Sequence, residues 1–349
     1  MKSEVSYNDN QFHNMKQDNV IIPCRVGGVK MNLVLEQIGK LGIVPVVVLN
    51  DAKDAKPLAK ALCEGGLPCA EVTFRTAAAE ESIKIMTTEY PEMLVGAGTV
   101  LTTEQVDRAM NAGARFIVSP GLNPKIVQYC IDKNIPVTPG VVTPGEMEKA
   151  IEMGLEVVKF FPAEAAGGLN MIKSMAAPYT TMKFMPTGGI TAKNINEYLA
   201  FPKIVACGGS WMVNGALVKE GKFDEIAALT KEAVMTMLGF ELKHIGVNCE
   251  DEKQADETAS FFDDVFGFTK KVGNSSIFAG TILEAMKAPY LGKHGHIAIG
   301  TNSVVRAKNY LESQGVIFDD STAKFNDDKM IAVYLQDEVN GFAVHLVQK

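Results

Sequence analysis

EVVKFFPA, residues 156–163, is a short apolar run with a lysine in its middle, and the recurrence of runs like it decides the fold. Upstream lie IVPVVVL (43–49), CAEVTFR (69–75), MLVGAGTV (93–100), RFIVSPG (115–121) and IPVTPGV (135–141); downstream lie KFMPTGGI (183–190) and IVACGGSW (204–211). Each has the length of a strand. Between them run helix-length segments such as DAKPLAKALCEGG and TTEQVDRAMNAG, which open on Asp or Thr and close on Gly, as helix caps prefer. Alternating strand and helix patterns build a parallel sheet. Eight such units in roughly 200 residues predict an α/β fold of the (β/α)8 TIM-barrel type. A doubly wound sheet would need a glycine fingerprint loop, and Gly96-Ala97-Gly98 has Leu101 where the third glycine belongs.

The chain has 349 residues, 47% hydrophobic and 21% charged, enough for one large core and a second small one. A net charge of -7 with no Lys/Arg-rich run argues against nucleic acid or an anionic membrane as partner, and favours small-molecule chemistry. Cys24, Cys63, Cys69, Cys130, Cys207 and Cys249 are scattered, with no C-x-x-C pair, which reads as reduced, mostly core thiols. No stretch is apolar enough to span a membrane. The polar start, MKSEVSYNDNQFHNMKQDN, has no signal-peptide core, so a cytoplasmic protein is expected. Residues 1–30 show no strong pattern beyond NVIIP and read as an extension, leaving the barrel to 31–239.

After Leu238-Gly239 the composition changes, and His244, His294, His296 and His345 are four of the five histidines. The tail reads as strand (HIGVN), helix (DEKQADETASFFDDVFG) and strands through ILEAM. It then repeats as strand (HIAIGT), helix (VVRAKNYLESQG) and strands ending in FAVHLVQ. This internal βαβββ repeat predicts a small α+β domain over 240–349.

Catalytic side chains of a barrel come from the C-terminal ends of its strands. Alternation puts Val157, Lys159 and Phe161 on one face of their strand. A lysine desolvated there has its pKa lowered and keeps some neutral amine to attack a ketone, the requirement for Schiff-base catalysis. Taken alone, Lys159 is better explained as a snorkelling or paired strand-end lysine. In CAEVTFR the period of two sets Glu71, Thr73 and Arg75 on one face, offering either an acid/base group beside a carboxylate clamp or a structural ion pair. Strands seven and eight end in Pro186-Thr187-Gly188-Gly189 and Cys207-Gly208-Gly209-Ser210, turns whose N–H groups can cradle a phosphate. A non-covalent phosphate-binding isomerase or synthase fits the same features with Lys159 only electrostatic.

Together EVTFRT (71–76), VGAGTV (95–100), SPG (119–121), KFFPAE (159–164), PTGGI (186–190) and GGSW (208–211) resemble the KDPG/KHG aldolase family, in order and spacing, over residues 31–238. These are class I aldolases, carbon-carbon lyases acting on 2-keto-3-deoxy-6-phosphogluconate or 4-hydroxy-2-oxoglutarate. The resemblance implies that Lys159 forms the imine and Glu71 moves protons, with Arg75 and Thr99 on the pyruvyl carboxylate. Pro120 and Phe161 would shape the pyruvate pocket, and Thr187, Gly188, Gly189, Gly209 and Ser210 would receive the phosphate. It implies no cofactor for cleavage, a small keto-acid substrate and a homotrimer. Some relatives carry an Arg at the end of the first strand, where this chain has Leu49-Asn50, so phosphorylated and dicarboxylic keto acids both stand as substrates.

The tail, over 244–349, resembles the vicinal oxygen chelate (glyoxalase-like) superfamily. That resemblance points to His244, Glu284, His296 and His345 as ligands of a divalent metal such as Zn, Ni, Mn or Fe, with His345 where the metal enzymes usually carry Glu. A metal-dependent lyase or dioxygenase, a degenerate domain for oligomer contacts or ligand binding, and strand histidines that are only packed and hydrogen-bonded are the readings it leaves open.

Overall fold

All eight apolar runs pair as parallel strands in the computed structural model, which describes residues 32–349; the expected extension over residues 1–30 lies outside the described residues. The strands are β1 (Ile43–Val47), β2 (Cys69–Thr73), β3 (Leu94–Gly98), β4 (Ile117–Ser119), β5 (Val137–Val141), β6 (Val157–Phe160), β7 (Lys183–Pro186) and β8 (Cys207–Gly209). Their order is β7-β6-β5-β4-β3-β2-β1-β8. A bridge between Thr187 and Gly208 brings the two ends of that order together, so the sheet curls into a barrel. Each strand is shorter than its apolar run; β4, for example, stops at Ser119, because Pro120 has no N–H to donate to a neighbour.

Helix α1 (Leu33–Leu41) precedes β1. Helices α2 (Ala55–Glu64), α3 (Ala79–Glu89), α4 (Thr103–Asn111), α5 (Pro124–Asp132), α6 (Pro144–Glu152), α7 (Gly168–Ala176) and α8 (Ile195–Leu199) connect the strands, and α9 (Gly215–Lys219) and α10 (Phe223–Leu238) follow β8. The caps are chemical. The Thr102 side chain accepts from Gln105 N, and Thr143 and Glu146 satisfy each other's backbone in a capping box. Every residue of β2, β3 and β5 is buried, as a parallel sheet covered by helices outside and side chains inside requires. Burial pushes the Cys130 thiol up to about 11 and that of Cys207 up to about 12, and the five described cysteines are all free.

Gly239 ends α10 in a left-handed conformation, and the tail sheet starts two residues later. It contains β9 (Glu241–Asn248), α11 (Glu252–Phe266), β10 (Lys270–Val272), β11 (Ser276–Ala279) and β12 (Leu283–Met286), then β13 (Gly295–Thr301), α12 (Val304–Ser313), β14 (Phe318–Asn326), β15 (Lys329–Leu335) and β16 (Phe342–Gln348). The two βαβββ halves join in one sheet of order β10-β11-β12-β9-β13-β16-β15-β14. Their first strands lie antiparallel at its centre, with His296 opposite Gly246 and His244 opposite Ala298. β12 runs parallel beside β9, and β16 beside β13.

The tail packs against the N-terminal end of the barrel. Arg306 of α12 donates from Nε to Gly39 O at 3.1 Å and from a terminal nitrogen to Val205 O at 3.0 Å, residues just ahead of β1 and β8. Thr301 Oγ1 and Asn302 Nδ2 donate to the last carbonyls of α10, where helix acceptors lack intrahelical partners. Among the described residues no helix is long and apolar enough to cross a membrane.

Candidate active site

Strand geometry sets the centre of the barrel's C-terminal end. Lys159, third residue of β6, and Glu71, third residue of β2, both point inward and are 5% and 1% exposed. They meet across the interior, with Lys159 Nζ 3.4 Å from Glu71 Oε1. Glu71 Oε2 is buried with no hydrogen-bond partner among the described residues, leaving one acceptor oxygen for an incoming proton donor. The Phe161 ring lies 5.1 Å from Lys159 Nζ and walls the amine on one side. Thr73, on the same face of β2 as Glu71, donates to Val47 O at 3.0 Å and so pins β2 to β1.

The remaining expected residues gather on the loops at this end. Arg75 is exposed beyond β2 and donates from Nε to Thr99 Oγ1 at 3.2 Å. Thr99 sits just after β3 with φ +54°, a region L-residues seldom adopt and one found at functional sites. Pro120 follows β4, and its carbonyl lies against Gly140, which has no side chain to displace it. Thr187, Gly188 and Gly189 follow β7, the two glycines with φ +98° and +83°. Gly209 closes β8 with Ser210 exposed after it. Thr187 Oγ1 is buried and unpartnered among the described residues. The turn therefore presents backbone N–H groups and one free hydroxyl, a set suited to an oxyanion.

Two supports went unread in the sequence. Gly98 gives Glu71 its space, because a Cβ there would overlap the carboxylate. The signal was present, since glycine inside a strand marks a close approach, and VGAG carries two. A Cβ on the other, Gly96, would overlap the Phe116 ring. Glu164 of KFFPAE takes a hydrogen bond from Tyr198 OH and packs under Gly189, so the β7 turn rests on a buttress from α8.

The family model for KDPG and KHG aldolase matches residues 34–229, more than half of the chain. The chain belongs to the KDPG and KHG aldolase family. It is 51% identical over 201 residues to the 2-dehydro-3-deoxy-phosphogluconate aldolase of Haemophilus influenzae, covering 58% of this chain and 95% of that one. Among solved structures it resembles the KDPG aldolase of Legionella pneumophila, captured with pyruvate as a covalent carbinolamine (38% identity, TM-score 0.56, 57% of this chain and 97% of the other). It also resembles the aldolase of Zymomonas mobilis with 3-phosphoglycerate (43% identity, TM-score 0.54, 57% and 94%). The aldolase match covers the barrel, whose eight-stranded architecture is the one predicted.

Beyond the aldolase barrel, the four tail residues converge at the middle of the second sheet. His244 Nε2, His296 Nε2 and Glu284 Oε2 form a triangle whose three sides are each 3.1 Å. Protons cannot satisfy it. If both rings donate to the carboxylate, two N–H groups face each other; if one ring donates to the other, an edge is left unmade. Donors about 2.1 Å from a shared divalent ion lie roughly 3.0–3.4 Å apart, so a cation placed there would meet all three edges. Ligand nitrogens of His244, His296 and His345 lie within 4.8 Å of one another. Both ring nitrogens of His345 are buried without a partner among the described residues.

The electrostatics of the cluster agree. Burial pushes the His345 imidazole down to about 3, with His296 and His244 alongside adding to the effect, and a neutral ring is a competent ligand. Burial alone would raise the Glu284 carboxyl, yet the His244 and His296 rings and the Ser276 hydroxyl packed against it hold it well below the usual carboxylate range. Ser276 Oγ donates to Glu284 Oε1 at 2.6 Å, fixing the carboxylate. Tyr334 stacks on His345 at 4.5 Å and 20°. The residue types and spacings fit a divalent metal.

Proposed function

We propose that the barrel is a class I aldolase that cleaves 2-keto-3-deoxy-6-phosphogluconate to pyruvate and glyceraldehyde 3-phosphate, and 4-hydroxy-2-oxoglutarate to pyruvate and glyoxylate. The buried 3.4 Å pair of Lys159 and Glu71 at the C-terminal end of the barrel carries this reading. Lys159 adds its amine to the C2 ketone, and the carbinolamine loses water to give a protonated imine. That imine draws in the electrons of the C3–C4 bond as Glu71 takes the C4 hydroxyl proton, and the aldehyde product leaves. The enamine is protonated at C3 and hydrolysed, releasing pyruvate and restoring the amine. Arg75 and Thr99 hold the carboxylate, while Pro120 and Phe161 bound the pyruvyl group. Thr187, Gly188, Gly189, Gly209 and Ser210 receive the distal phosphate, and a small keto acid is the substrate of a cytoplasmic homotrimer.

Ser210 separates the two substrates. A hydroxyl hydrogen bond to a charged group contributes about 1.5–3 kcal/mol, so Ser210→Ala is expected to lower kcat/KM for the phosphorylated substrate roughly 10- to 100-fold. The dicarboxylic substrate should change by less than about threefold. Equal losses on both, measured by coupled pyruvate assay, would remove Ser210 from the phosphate site.

In the same proposal residues 240–349 form a vicinal oxygen chelate domain distinct from the barrel over 31–239. His244, Glu284, His296 and His345 hold a divalent metal there, a reading supported by the 3.1 Å triangle. The bound ion would supply Lewis-acid chemistry in the tail, and cleavage in the barrel draws on none of it. Exhaustive EDTA treatment should strip the tail and leave kcat on both keto acids within about twofold of the untreated value. Loss of cleavage that returns on adding metal would overturn the division of labour.

A further inference from the structure

We propose that Asn194 is a positioning residue that sets the barrel's preference for the phosphorylated keto acid over the dicarboxylic one; this rests on the reading of the β7 and β8 turns as the phosphate site. The peptide planes of the β7 turn carry it. A trans peptide is planar, so a carbonyl drawn to one side turns the N–H of the same plane to the other. Thr187 O accepts from Ala163 N at 2.8 Å and Gly188 O from Glu164 N at 3.1 Å, both donors lying on the loop after β6. Gly189 O accepts from Asn194 Nδ2, just ahead of α8, at 3.1 Å. Three successive carbonyls are thus drawn toward the β6 loop and α8. The N–H groups of Gly189 and Ile190 are turned the opposite way, and neither has an acceptor among the described residues. β8 meets β7 on the side away from β6, so this is the side of Ser210.

Of the three anchors only Asn194 acts through a side chain. Its amide is fixed at both ends, because Oδ1 accepts from Thr191 N at 2.8 Å and leaves Nδ2 to face Gly189. The Glu164 side chain, held by Tyr198 OH, fills the space under Gly189. Loss of the Asn194 bond therefore frees one peptide plane without collapsing the turn. A plane free to rotate withdraws the Ile190 N–H and can bring the Gly189 carbonyl toward the ligand. A phosphate monoester carries nearly two negative charges on three acceptor oxygens, whereas the distal carboxylate of 4-hydroxy-2-oxoglutarate carries one charge on two. The dianion loses more. Pyruvate has no distal group, so imine formation on Lys159 is untouched.

Asn194→Asp in the full chain keeps the shape and the acceptor for Thr191 N but removes the donor to Gly189. KM for the phosphorylated substrate is expected to rise roughly tenfold, with its kcat and both constants for the dicarboxylic substrate within about threefold of native. Borohydride should trap pyruvate on Lys159 at the native rate. Inorganic phosphate should compete with the phosphorylated substrate in the native protein and more weakly in the variant. Asn194→Ala, which brings no charge, should show the same selective rise in KM, and it decides the matter if the Asp variant does not fold. KM for the phosphorylated substrate unchanged in both variants, or equal losses on the two substrates, overturns the role of Asn194 while leaving the phosphate site in place. No competition by inorganic phosphate in the native protein, together with equal losses on both substrates in Ser210→Ala, overturns the phosphate site and this inference with it.

Discussion

Lys159→Ala is expected to reduce cleavage of both keto acids by on the order of 10⁴-fold or more, because the variant has no amine to form the imine. Borohydride added with pyruvate should leave a stable adduct on Lys159 of the native protein and none on the variant, located by peptide mass. The substitution also leaves Glu71, 1% exposed, without its cation, and a buried charge stripped of its partner destabilises by about 3–5 kcal/mol. Lys159→Met, which fills more of the vacated space, separates lost chemistry from lost fold. A folded Lys159→Met protein with the same loss of turnover supports the mechanism. Turnover within about tenfold of native, or an adduct on another lysine, would sink it.

Much of the barrel was legible because its signals are local. Eight runs, caps on Asp and Thr, and glycines after helices are each visible within a dozen residues, and all eight runs became strands. What could not be read was the distance between them. Alternation turns Glu71 and Lys159 inward, yet their strands are separated in the sheet by β3, β4 and β5. The 3.4 Å approach follows from barrel closure and from the missing side chain of Gly98. The apolar runs also exceed the paired strands: IVACGGSW pairs only over Cys207–Gly209. Gly208 and Gly209 there give way to the Thr187 and Trp211 side chains.

In the tail the repeat itself carried the information. If each half is βαβββ and the first strands pair antiparallel, the residues that open and close each half face one another. His244, Glu284, His296 and His345 come from β9, β12, β13 and β16 accordingly. The sequence could not show that three donor atoms would stand 3.1 Å apart, nor that Gly246 is needed. A Cβ at Gly246 would overlap the His296 ring, so the tail uses a strand glycine to seat a buried imidazole, as Gly98 seats the Glu71 carboxylate in the barrel.

That parallel gives the second large effect. Glu71→Gln is expected to trap pyruvate on Lys159 with borohydride while turning over roughly 10²–10⁴-fold more slowly, since an amide can hydrogen-bond but cannot cycle a proton. Gly98→Ala should produce the same pairing of defects without touching a titratable group. Gly98 is not among the positive-φ residues, so alanine meets no backbone objection there and its effect is steric. The added methyl must displace the Glu71 carboxylate, and a misplacement of about 1 Å in a reacting group can cost on the order of 10²-fold. Glu71→Gln combined with Gly98→Ala should then lose little more than the slower single variant, because both act through one carboxylate. Near-native turnover by Glu71→Gln would remove Glu71 from proton transfer. Fully multiplicative losses in the double variant would show that Gly98 acts through something other than Glu71.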